Sequence, residues 1–598
     1  MSVRGATGAL LVVLATALTL GACGGTSSAT SVALDSNRAI AAAAQNPVTI
    51  SPLPGTVDAS PSTQISFLGS AGTQVSNVHV VGSHSGSHPG VLRAYSTGTG
   101  ESFLPTHPFL AGERVSVHAR VAGAPEASTT FTIADQAAVS QKEFPINPGD
   151  PHAVQHYSSA PELSPSTVRI TTPAKPGAAP GDLFLAPYQG SGAPGPMITE
   201  QNGNLVWFHP LGAGEQATNF QVQQYQGKPV LSWWQGRIIQ VGFGEGEDVL
   251  YDSSYRHLAT IRAGNGYHAD LHEVRLTPQG TAWIDVFDPI HMNLSSVHGP
   301  SAGVLTDSVV QEIDIKTGLV MWEWHTLGHI PLGESKNPVP RNYPWDYAHL
   351  NSADPGSAGD VLVSVRNTWT LYDIDIHSGG FIWRLGDSHS SFRLSSGTRF
   401  YWQHDAEFQP GGEISVFDNG SDPPKEKQSR GLLLRPDTAG HTVSLVRQFT
   451  NPSKTLLAES QGNAQSLPGG NWLLGYGRLP NFTEFDASGH VLLDGTLGRN
   501  VQNFKTFLSP WSGQPTNAPS VALTGSTIAA SWNGATNVAS WRVLAGPSPT
   551  GLTPVGEAPK SGFETAISLP AATKGRYVAV QALDASGTVM GVSAAAKA

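Results

Sequence analysis

The chain has 598 residues, of which 39% are hydrophobic and only 13% are charged, and its net charge is −11. A chain of this length is expected to form more than one domain. The acidic charge is spread without runs and no basic stripe is present, which argues against nucleic acid as a partner.

The N-terminus is typical of an exported lipoprotein. Arg4 is followed by an apolar run over 9–20, too short to span a bilayer, and by Leu-Gly-Ala before Cys23. This segment resembles a bacterial lipobox, which predicts a signal peptide over 1–23 and lipidation of Cys23. The protein would then be exported and anchored in the outer face of the bacterial cytoplasmic membrane. The alternative is an ordinary signal peptide with an incidental cysteine. Cys23 is the only cysteine, so no disulfide can form within the folded part.

Strand and turn signals dominate the rest of the chain and predict an all-β protein. Short alternating strands separated by Pro and Gly turns are frequent, and long amphipathic helical periods are scarce. The predicted order is a tether over 24–45, a β-sandwich over 46–135, a Pro-rich connection over 136–180, a repetitive region over 181–515, and a fibronectin- or immunoglobulin-like sandwich over 518–598.

The middle region contains a repeat. One unit is a glycine followed by an apolar strand, and its six copies begin at Gly181, Gly227, Gly280, Gly359, Gly412 and Gly470. A second unit lies between these copies, clearest where Trp stands four residues after Gly203, Gly318 and Gly379. Small all-strand modules of this kind predict a six-bladed β-propeller. The longest interval places insertions around 289–305 and 326–345, which we expect to rise over one face as a lid.

Three histidines share one position in this repeat. His272 and His404 each lie eight residues before a repeat glycine, and His349 lies ten before its own. Equivalent positions of propeller blades point at the same axis. We therefore expect the three imidazoles to meet at one mouth of the central channel.

Two further residues are candidates for the same site. Arg366 ends the strand that follows His349, and His268 precedes His272 by four residues and is a candidate substrate-binding group. His325 and His329 fall in the second insertion and are interpreted as lid or surface groups. The sequence shows no carboxylate cluster beside the imidazoles, so the set suits an anionic substrate. The same histidines could instead hold Zn²⁺ with an open position.

The motifs around these residues resemble the arylsulfotransferase family, in particular its actinobacterial and fungal branch. They are YHADLHEV, DYAHLNS followed by SVRNTWTLYDIDIHSGGFIWRLG, and WQHDAEFQPGGEISVFDNG. The resemblance extends over about 151–510 and includes PGDLFLAP and NGNLVWFHPL near its start.

The resemblance implies transfer of sulfuryl groups from aryl sulfates to phenols, independent of PAPS and without a cofactor. It implies that His404 becomes transiently sulfurylated, with ping-pong kinetics, and that His349, Arg366 and His272 complete the catalytic set. His272 is assigned by its repeat position, and His268 is the alternative for the same role. Two features depart from the family: the disulfide of enteric members cannot form, and Asn367-Thr368-Trp369 replaces the usual residues after the arginine.

Two other functions remain open from the residues alone. One is a metal-dependent hydrolase or lyase that uses the same histidines. The other is a non-catalytic propeller that binds partners in the cell envelope.

Overall fold

The computed structural model describes residues 48–140, 142–239, 242–387, 389–569 and 577–597. The predicted signal peptide, Cys23 and the tether lie outside these residues. Within them the regular elements are strands and four short 3-10 helices, as the all-β prediction requires. The 3-10 helices are Ser295–Val297, Leu332–Glu334, Arg366–Thr368 and Pro468–Gly470. None of the described helices has the length and apolarity to cross a membrane.

Two N-terminal sheets of four strands share one hydrophobic cluster. In spatial order, one sheet contains Thr49–Ser51, Ile65–Leu68, Gly100–Pro105 and Gly90–Ala94. The other contains Gly86–Ser87, Val75–Gly82, Arg114–Val121 and Glu126–Thr132. Alternation along Arg114–Val121 buries every second residue, which is the period of a strand with one face on a core.

Six antiparallel sheets follow, numbered here in chain order and given from the innermost strand outward. Sheet 1 contains Phe507–Ser509, Asp182–Leu185, Met197–Thr199 and Leu205–Phe208. Sheet 2 contains Gln216–Tyr225, Lys228–Ile238, Gly244–Tyr251 and His257–Ile261. Sheet 3 contains Val274–Leu276, Thr281–Met292, Gly303–Asp314 and Val320–His325, with Trp345–Asp346 parallel to the third strand.

The last three sheets repeat this order. Sheet 4 contains Leu350–Pro355, Asp360–Val365, Thr370–Asp375 and Phe381–Gly386. Sheet 5 contains His404–Gln409, Glu413–Asp418, Arg430–Asp437 and Thr442–Phe449, with Arg393–Leu394 at its outer edge. Sheet 6 contains Asn463–Ser466, Trp472–Gly475, Asn481–Phe485 and Val491–Thr496, with Arg169–Thr172 outermost. A separate pair joins Pro187–Tyr188 to Gln502–Asn503.

Hydrophobic clusters lie between the successive sheets. One cluster joins each sheet to the next along the chain, and another joins sheet 6 to sheet 1. Alternate side chains of one strand enter different clusters: Val361 and Val363 pack against sheet 3, and Leu362 packs against sheet 5. Because both faces of these strands are buried, their sequences are continuous apolar runs rather than alternating patterns.

The innermost strands are joined to one another by side chains. In sheet 2, Gln223 accepts a hydrogen bond from the Leu276 N–H (2.8 Å) and donates to the Val274 carbonyl (3.0 Å) in sheet 3. In sheet 6, Asn463 accepts from the Thr506 N–H (2.9 Å) and donates to its carbonyl (2.8 Å). These side chains satisfy backbone groups that have no strand partner on the inner side.

The first predicted insertion, over 289–305, is partly strand, with the 3-10 helix Ser295–Val297 at its centre. Thr281–Met292 and Gly303–Asp314 have 12 residues each and form one long hairpin, whereas Asp360–Val365 has 6. The predicted second insertion contains the 3-10 helix Leu332–Glu334 and ends on Trp345–Asp346. A cavity of about 850 Å³ lies between the hairpin tip, residues 340–344 and residues 138–140. The lid remains a prediction.

Two C-terminal sheets share a further cluster. The first contains Ser520–Thr524, Thr527–Ser531 and Thr565–Ser568. The second contains Thr553–Pro559, Ser540–Gly546, Tyr577–Leu583 and Val589–Val592, with Ala596–Lys597 beside the third strand. Asn533 accepts from the Phe208 N–H (3.0 Å) and donates to its carbonyl (2.9 Å), which ties these sheets to the outer strand of sheet 1.

Replacement of Asn463 tests the joint between sheets 6 and 1. Asn463→Ala would leave both backbone groups of Thr506 without partners, and an unsatisfied buried polar group costs about 1–3 kcal/mol. We expect urea unfolding, followed by tryptophan fluorescence, at a lower midpoint. Asn342→Ala, at an exposed position, is the control, and equal midpoints for the two variants would contradict this account.

Candidate active site

The structure brings His272, His349 and His404 together. The ring centroids are 4.8 Å apart for His272 and His349, 6.5 Å for His272 and His404, and 6.4 Å for His349 and His404. One nitrogen of each ring lies within 4.8 Å of the others. Each residue stands at or just before the start of an innermost strand, in sheets 3, 4 and 5. Their common repeat position therefore corresponds to a common place in the structure.

Left-handed backbone conformations shape two of these strand starts. His349 has φ of 58° and Asp405 has φ of 56°. The strand pairing shifts register just after each start, between Leu350 and Ser352 and between His404 and Glu407. Residues other than glycine seldom adopt such angles, and where they do the conformation often serves a site. Here the extra residue turns the chain where the histidine joins the sheet.

Two of the histidines have carboxylate partners. The Nδ1 atom of His272 is hydrogen-bonded to Asp270, and Nδ1 of His349 lies 2.5 Å from Oδ2 of Asp346. A carboxylate on Nδ1 fixes the ring orientation and stabilises the protonated imidazole, leaving Nε2 as the working nitrogen. For His349 burial outweighs this effect and lowers its pKa below the usual value, with Asp346 opposing the shift. His272 and His349 are thus each oriented by a carboxylate, with Nε2 left to act on a substrate.

His404 has no carboxylate on its ring. Its Nδ1 atom lies 2.7 Å from Oδ1 of Asn419 and 3.2 Å from the Trp402 carbonyl, both acceptors. The Asn419 amide donates to the carbonyls of Ala458 (3.1 Å) and Gln461 (2.8 Å), which fixes its orientation. Nδ1 must therefore carry the proton, and Nε2 carries the lone pair, which accepts the Gln461 N–H at 3.1 Å.

The surroundings keep His404 neutral. Burial, followed by the positive charges of Arg366, His349 and His272, lowers the pKa of His404 well below its usual value. Its side chain is 1% exposed. An imidazole that stays unprotonated near neutral pH, with a defined lone pair on Nε2, is suited to act as a nucleophile.

Arg366 adds a cation next to these rings. It lies in the 3-10 turn Arg366–Thr368 with its guanidinium 4.9 Å from the centre of the Trp402 ring. It donates to Asn367 (2.9 Å) and to the Glu459 carbonyl (3.0 Å), while its buried Nε has no hydrogen-bond partner among the described residues. Burial lowers the pKa of Arg366 to about 10, so it remains charged at neutral pH. The unpartnered Nε is a donor available to an anion.

Asn367, one of the residues that depart from the family pattern, positions this arginine. Its side-chain oxygen accepts from Arg366, and its amide donates to the Asp346 carbonyl at 2.8 Å. Its backbone N–H donates to the Ala348 carbonyl at 2.9 Å. Asn367 thereby connects Arg366 to the segment that carries His349.

His268 does not join the cluster. Its side chain is exposed, whereas His272 is 3% exposed. The intervening residues Ala269 and Asp270 are both fully buried. Of the two histidines considered for the first position, the structure places His272 beside the other imidazoles.

The expectation that no carboxylate cluster stands beside the imidazoles was wrong. Asp270 and Asp346 contact the histidines directly, and Asp285 lies 3.9 Å from Nδ1 of His272. Glu273 and Asp405 are also buried, but Lys505 lies 3.3 Å and 2.9 Å from their oxygens. The site remains suited to an anion because these negative charges are paired with cations or with ring nitrogens.

Aromatic rings complete the walls. Phe287 lies 5.4 Å from His272 and 5.3 Å from His349, and Phe504 lies 5.3 Å from His272. Phe243 stacks on Phe287 at 5.5 Å, and Val139, which lines the 850 Å³ cavity, packs against this pair. Flat apolar surfaces of this kind suit an aromatic substrate.

Comparison with solved structures gives only distant similarity. A Bacteroides caccae protein of unknown function is 16% identical with a TM-score of 0.32, covering 55% of this chain and 98% of its own. An inactive virginiamycin B lyase from Staphylococcus aureus, with quinupristin, is 9% identical with a TM-score of 0.27, covering 61% and 97%. At such scores these similarities carry no argument about function. No curated protein matches the chain.

The family comparison covers the part of the chain that holds the site. Residues 221–498 match the model of the arylsulfotransferase (ASST) family. This range includes the three histidines, Arg366, and the residues Asp270, Asp346 and Asn419 that orient the rings. The match over residues 221–498 therefore supports an arylsulfotransferase-family assignment.

Proposed function

We propose that the protein transfers a sulfuryl group from an aryl sulfate to a phenol through a sulfurylated His404. The family match supports aryl sulfotransferase activity and aryl sulfate or phenol substrates at the level of the family. The observation that carries the mechanism is the unequal environment of the three imidazoles. His404 is held neutral with its lone pair on Nε2, whereas His272 and His349 have carboxylates on Nδ1.

In the first half-reaction, the Nε2 lone pair of His404 attacks the sulfur of the aryl sulfate. The new N–S bond forms as the bond between sulfur and the aryl oxygen breaks, and the electron pair of that bond leaves with the phenolate. Nε2 must release the Gln461 N–H before it attacks. Because a phenol has a pKa of roughly 10, the departing oxygen takes a proton readily, and protonated His272 donates it.

In the second half-reaction, a phenol replaces the first product. Neutral His272 now accepts the proton of the phenol hydroxyl, whose oxygen attacks the sulfur. The N–S bond breaks and its electron pair returns to Nε2 of His404. One proton has moved out and back through His272, so the enzyme ends as it began.

Arg366 contributes charge and hydrogen bonds to the sulfuryl oxygens, and His349 adds a donor when its ring is protonated. Arg366 lies close enough to lower the pKa of both His349 and His404, and its Nε is unpartnered. Fixed donors in a buried site stabilise developing negative charge without reorganisation. The phenyl rings of Phe287 and Phe504 would pack against the aryl groups.

The overall architecture is part of the same proposal. Six sheets with a cluster between each pair, the last of them between sheets 6 and 1, support a six-bladed propeller over about 181–515. The sheets at either end support the proposed flanking sandwiches over 46–135 and 518–598. The histidines would stand where the innermost strands of three consecutive blades begin.

Trapping of the intermediate tests the role of His404. Incubation with a chromogenic aryl sulfate and no acceptor should add one sulfuryl group to His404, located by mass spectrometry without acid. His404→Ala should form no adduct and transfer nothing, while His268→Ala, an exposed histidine in the same region, serves as the matched control. A sulfuryl group on another residue would overturn the assignment.

The same assay separates the roles of the other groups. Arg366→Ala should still form the adduct, but about 10²–10³-fold more slowly, as when one oxyanion donor is removed. If no aryl sulfate reacts and stoichiometric metal is bound by the three histidines, whose nitrogens lie within 4.8 Å, the metal-dependent reading replaces this one.

The pH dependence tests why His404 is neutral. Asn419→Asp would place a carboxylate on Nδ1, which stabilises the protonated ring and raises the pKa of His404. Protonated His404 has no lone pair, so phenol release in single turnover should fall as the pH is lowered. In Asn419→Asp this fall should occur at a higher pH than in the wild type. Asn202→Asp, at an exposed turn, is the control. If the rate falls at the same pH in Asn419→Asp and in the wild type, His404 is not the nucleophile whose protonation stops the reaction.

Anchoring through Cys23 is a separate proposal that rests on the lipobox alone. An acylated cysteine supplies more than the single chain that gives only marginal binding. Cys23→Ser should release the protein from the membrane fraction or leave it unprocessed, as followed by fractionation and mass. An unchanged membrane fraction would count against the lipobox.

A further inference from the structure

A second buried group of ionisable side chains lies away from the proposed catalytic site. It contains Asp58, which follows the first N-terminal strand, and Asp307 and His325 of sheet 3. Nδ1 of His325 lies 3.2 Å from Oδ1 of Asp58 and 3.0 Å from Oδ2 of Asp307. All three are buried, with exposures of 2%, 0% and 1%. His325, interpreted from the sequence as a lid or surface group, is thus an interior residue.

Hydrogen bonding accounts for the contact of His325 with Asp307 but not for that with Asp58. Nδ1 of His325 can donate one proton at most, yet it faces two carboxylates. Neither oxygen of Asp58 has a hydrogen-bond donor among the described residues, and the buried hydroxyl of Tyr267 is also without a partner. A buried carboxylate without compensation is costly, and such groups normally pair or bind a metal.

The surrounding contacts are those of a metal site. Nε2 of His325 lies 3.1 Å from Oε1 of Glu323, so its N–H can donate outward and leave Nδ1 free to bind an ion. Oδ1 of Asp307 accepts from the Thr326 hydroxyl (2.6 Å) and the Leu327 N–H (2.8 Å), so Oδ2 is the oxygen that faces Nδ1 of His325, at 3.0 Å. A carboxylate behind the second ring nitrogen is the usual outer support of a metal-binding histidine.

We propose that Asp58, Asp307 and His325 bind a divalent transition-metal ion, Zn²⁺ or Mn²⁺. Bonds of about 2.0–2.2 Å to one ion place neighbouring ligand atoms about 3.0–3.5 Å apart, and both observed separations lie in that range. An imidazole nitrogen with two carboxylates suits these metals, whereas Ca²⁺ and Mg²⁺ prefer oxygen ligands throughout.

The position of the ligands gives the ion a structural role. Asp58 belongs to the N-terminal segment, and the other two ligands belong to sheet 3. A metal shared between them ties the N-terminal sheets to this part of the chain, as does the Ser102 hydroxyl, which donates to the Val320 carbonyl at 3.0 Å.

The test measures bound metal and stability on the full chain. After reconstitution with Zn²⁺ or Mn²⁺ and dialysis, we expect about one equivalent per wild-type chain by mass spectrometry of the elements. Asp58→Asn and His325→Gln should lose it. Asp248→Asn, another fully buried aspartate without hydrogen-bond partners but outside the cluster, is the matched control and should retain it. Glu323→Gln should weaken binding by about 10–100-fold.

Further readouts separate this site from the catalytic histidines and from misfolding. His404→Ala should keep the ion, and EDTA should lower the melting temperature of the wild type but not that of Asp58→Asn. In crystals of the wild-type protein, an anomalous scattering peak between Asp58, Asp307 and His325 should locate the ion without any substitution. Metal-free wild-type protein, metal retained by Asp58→Asn, or a peak only at His272, His349 and His404 would each overturn the proposal.

Discussion

The inner edges of the six sheets impose the constraint on which the rest of the structure depends. An innermost strand has a neighbour on one side only, so its remaining backbone groups must find other partners in a buried place. Polar side chains of one strand supply them to the next: Asp354 accepts from the Phe408 N–H (2.8 Å), and Asp405 accepts from the Ala464 N–H (3.0 Å). These bonds set the spacing of the strands, and the spacing decides how closely side chains at the strand starts approach one another.

Charge pairing at this centre distinguishes three chemically identical rings. Carboxylates stand behind His272 and His349, but an amide stands behind His404. Deeper in, Lys505 lies between Glu273 and Asp405, and Arg275 pairs with Glu407. The cations neutralise carboxylates that would otherwise repel an anionic substrate. In the mechanism proposed above, the same site supplies both carboxylate-oriented imidazoles and a neutral nucleophile within a few ångströms.

The sequence was most informative where the repeat was regular. Counting from the repeat glycines identified His272, His349 and His404 as equivalent, because strand period and turn position are local properties. The sequence could not separate His268 from His272, since a four-residue offset is resolved only by burial.

The residues that orient the rings were missed for different reasons. Asp270 and Asp346 stand two and three residues before their histidines, and this spacing could have indicated them. Asn419 looked only like part of a turn, and its contact with His404 spans fifteen residues. The pairing of Asp58 with His325 joins distant segments and left no local pattern.

Two of the six sheets are assembled from both ends of this region. Sheet 1 joins Asp182–Leu185 to Phe507–Ser509, and sheet 6 joins Val491–Thr496 to Arg169–Thr172. During synthesis, residues near 170–185 must therefore wait for more than three hundred later residues before their partners exist. Contacts so distant in sequence form slowly. Until then, the apolar strands of sheets 1 and 6 expose the faces that later pack against each other. A chain that ended before residue 509 would leave the contact between sheets 6 and 1 incomplete.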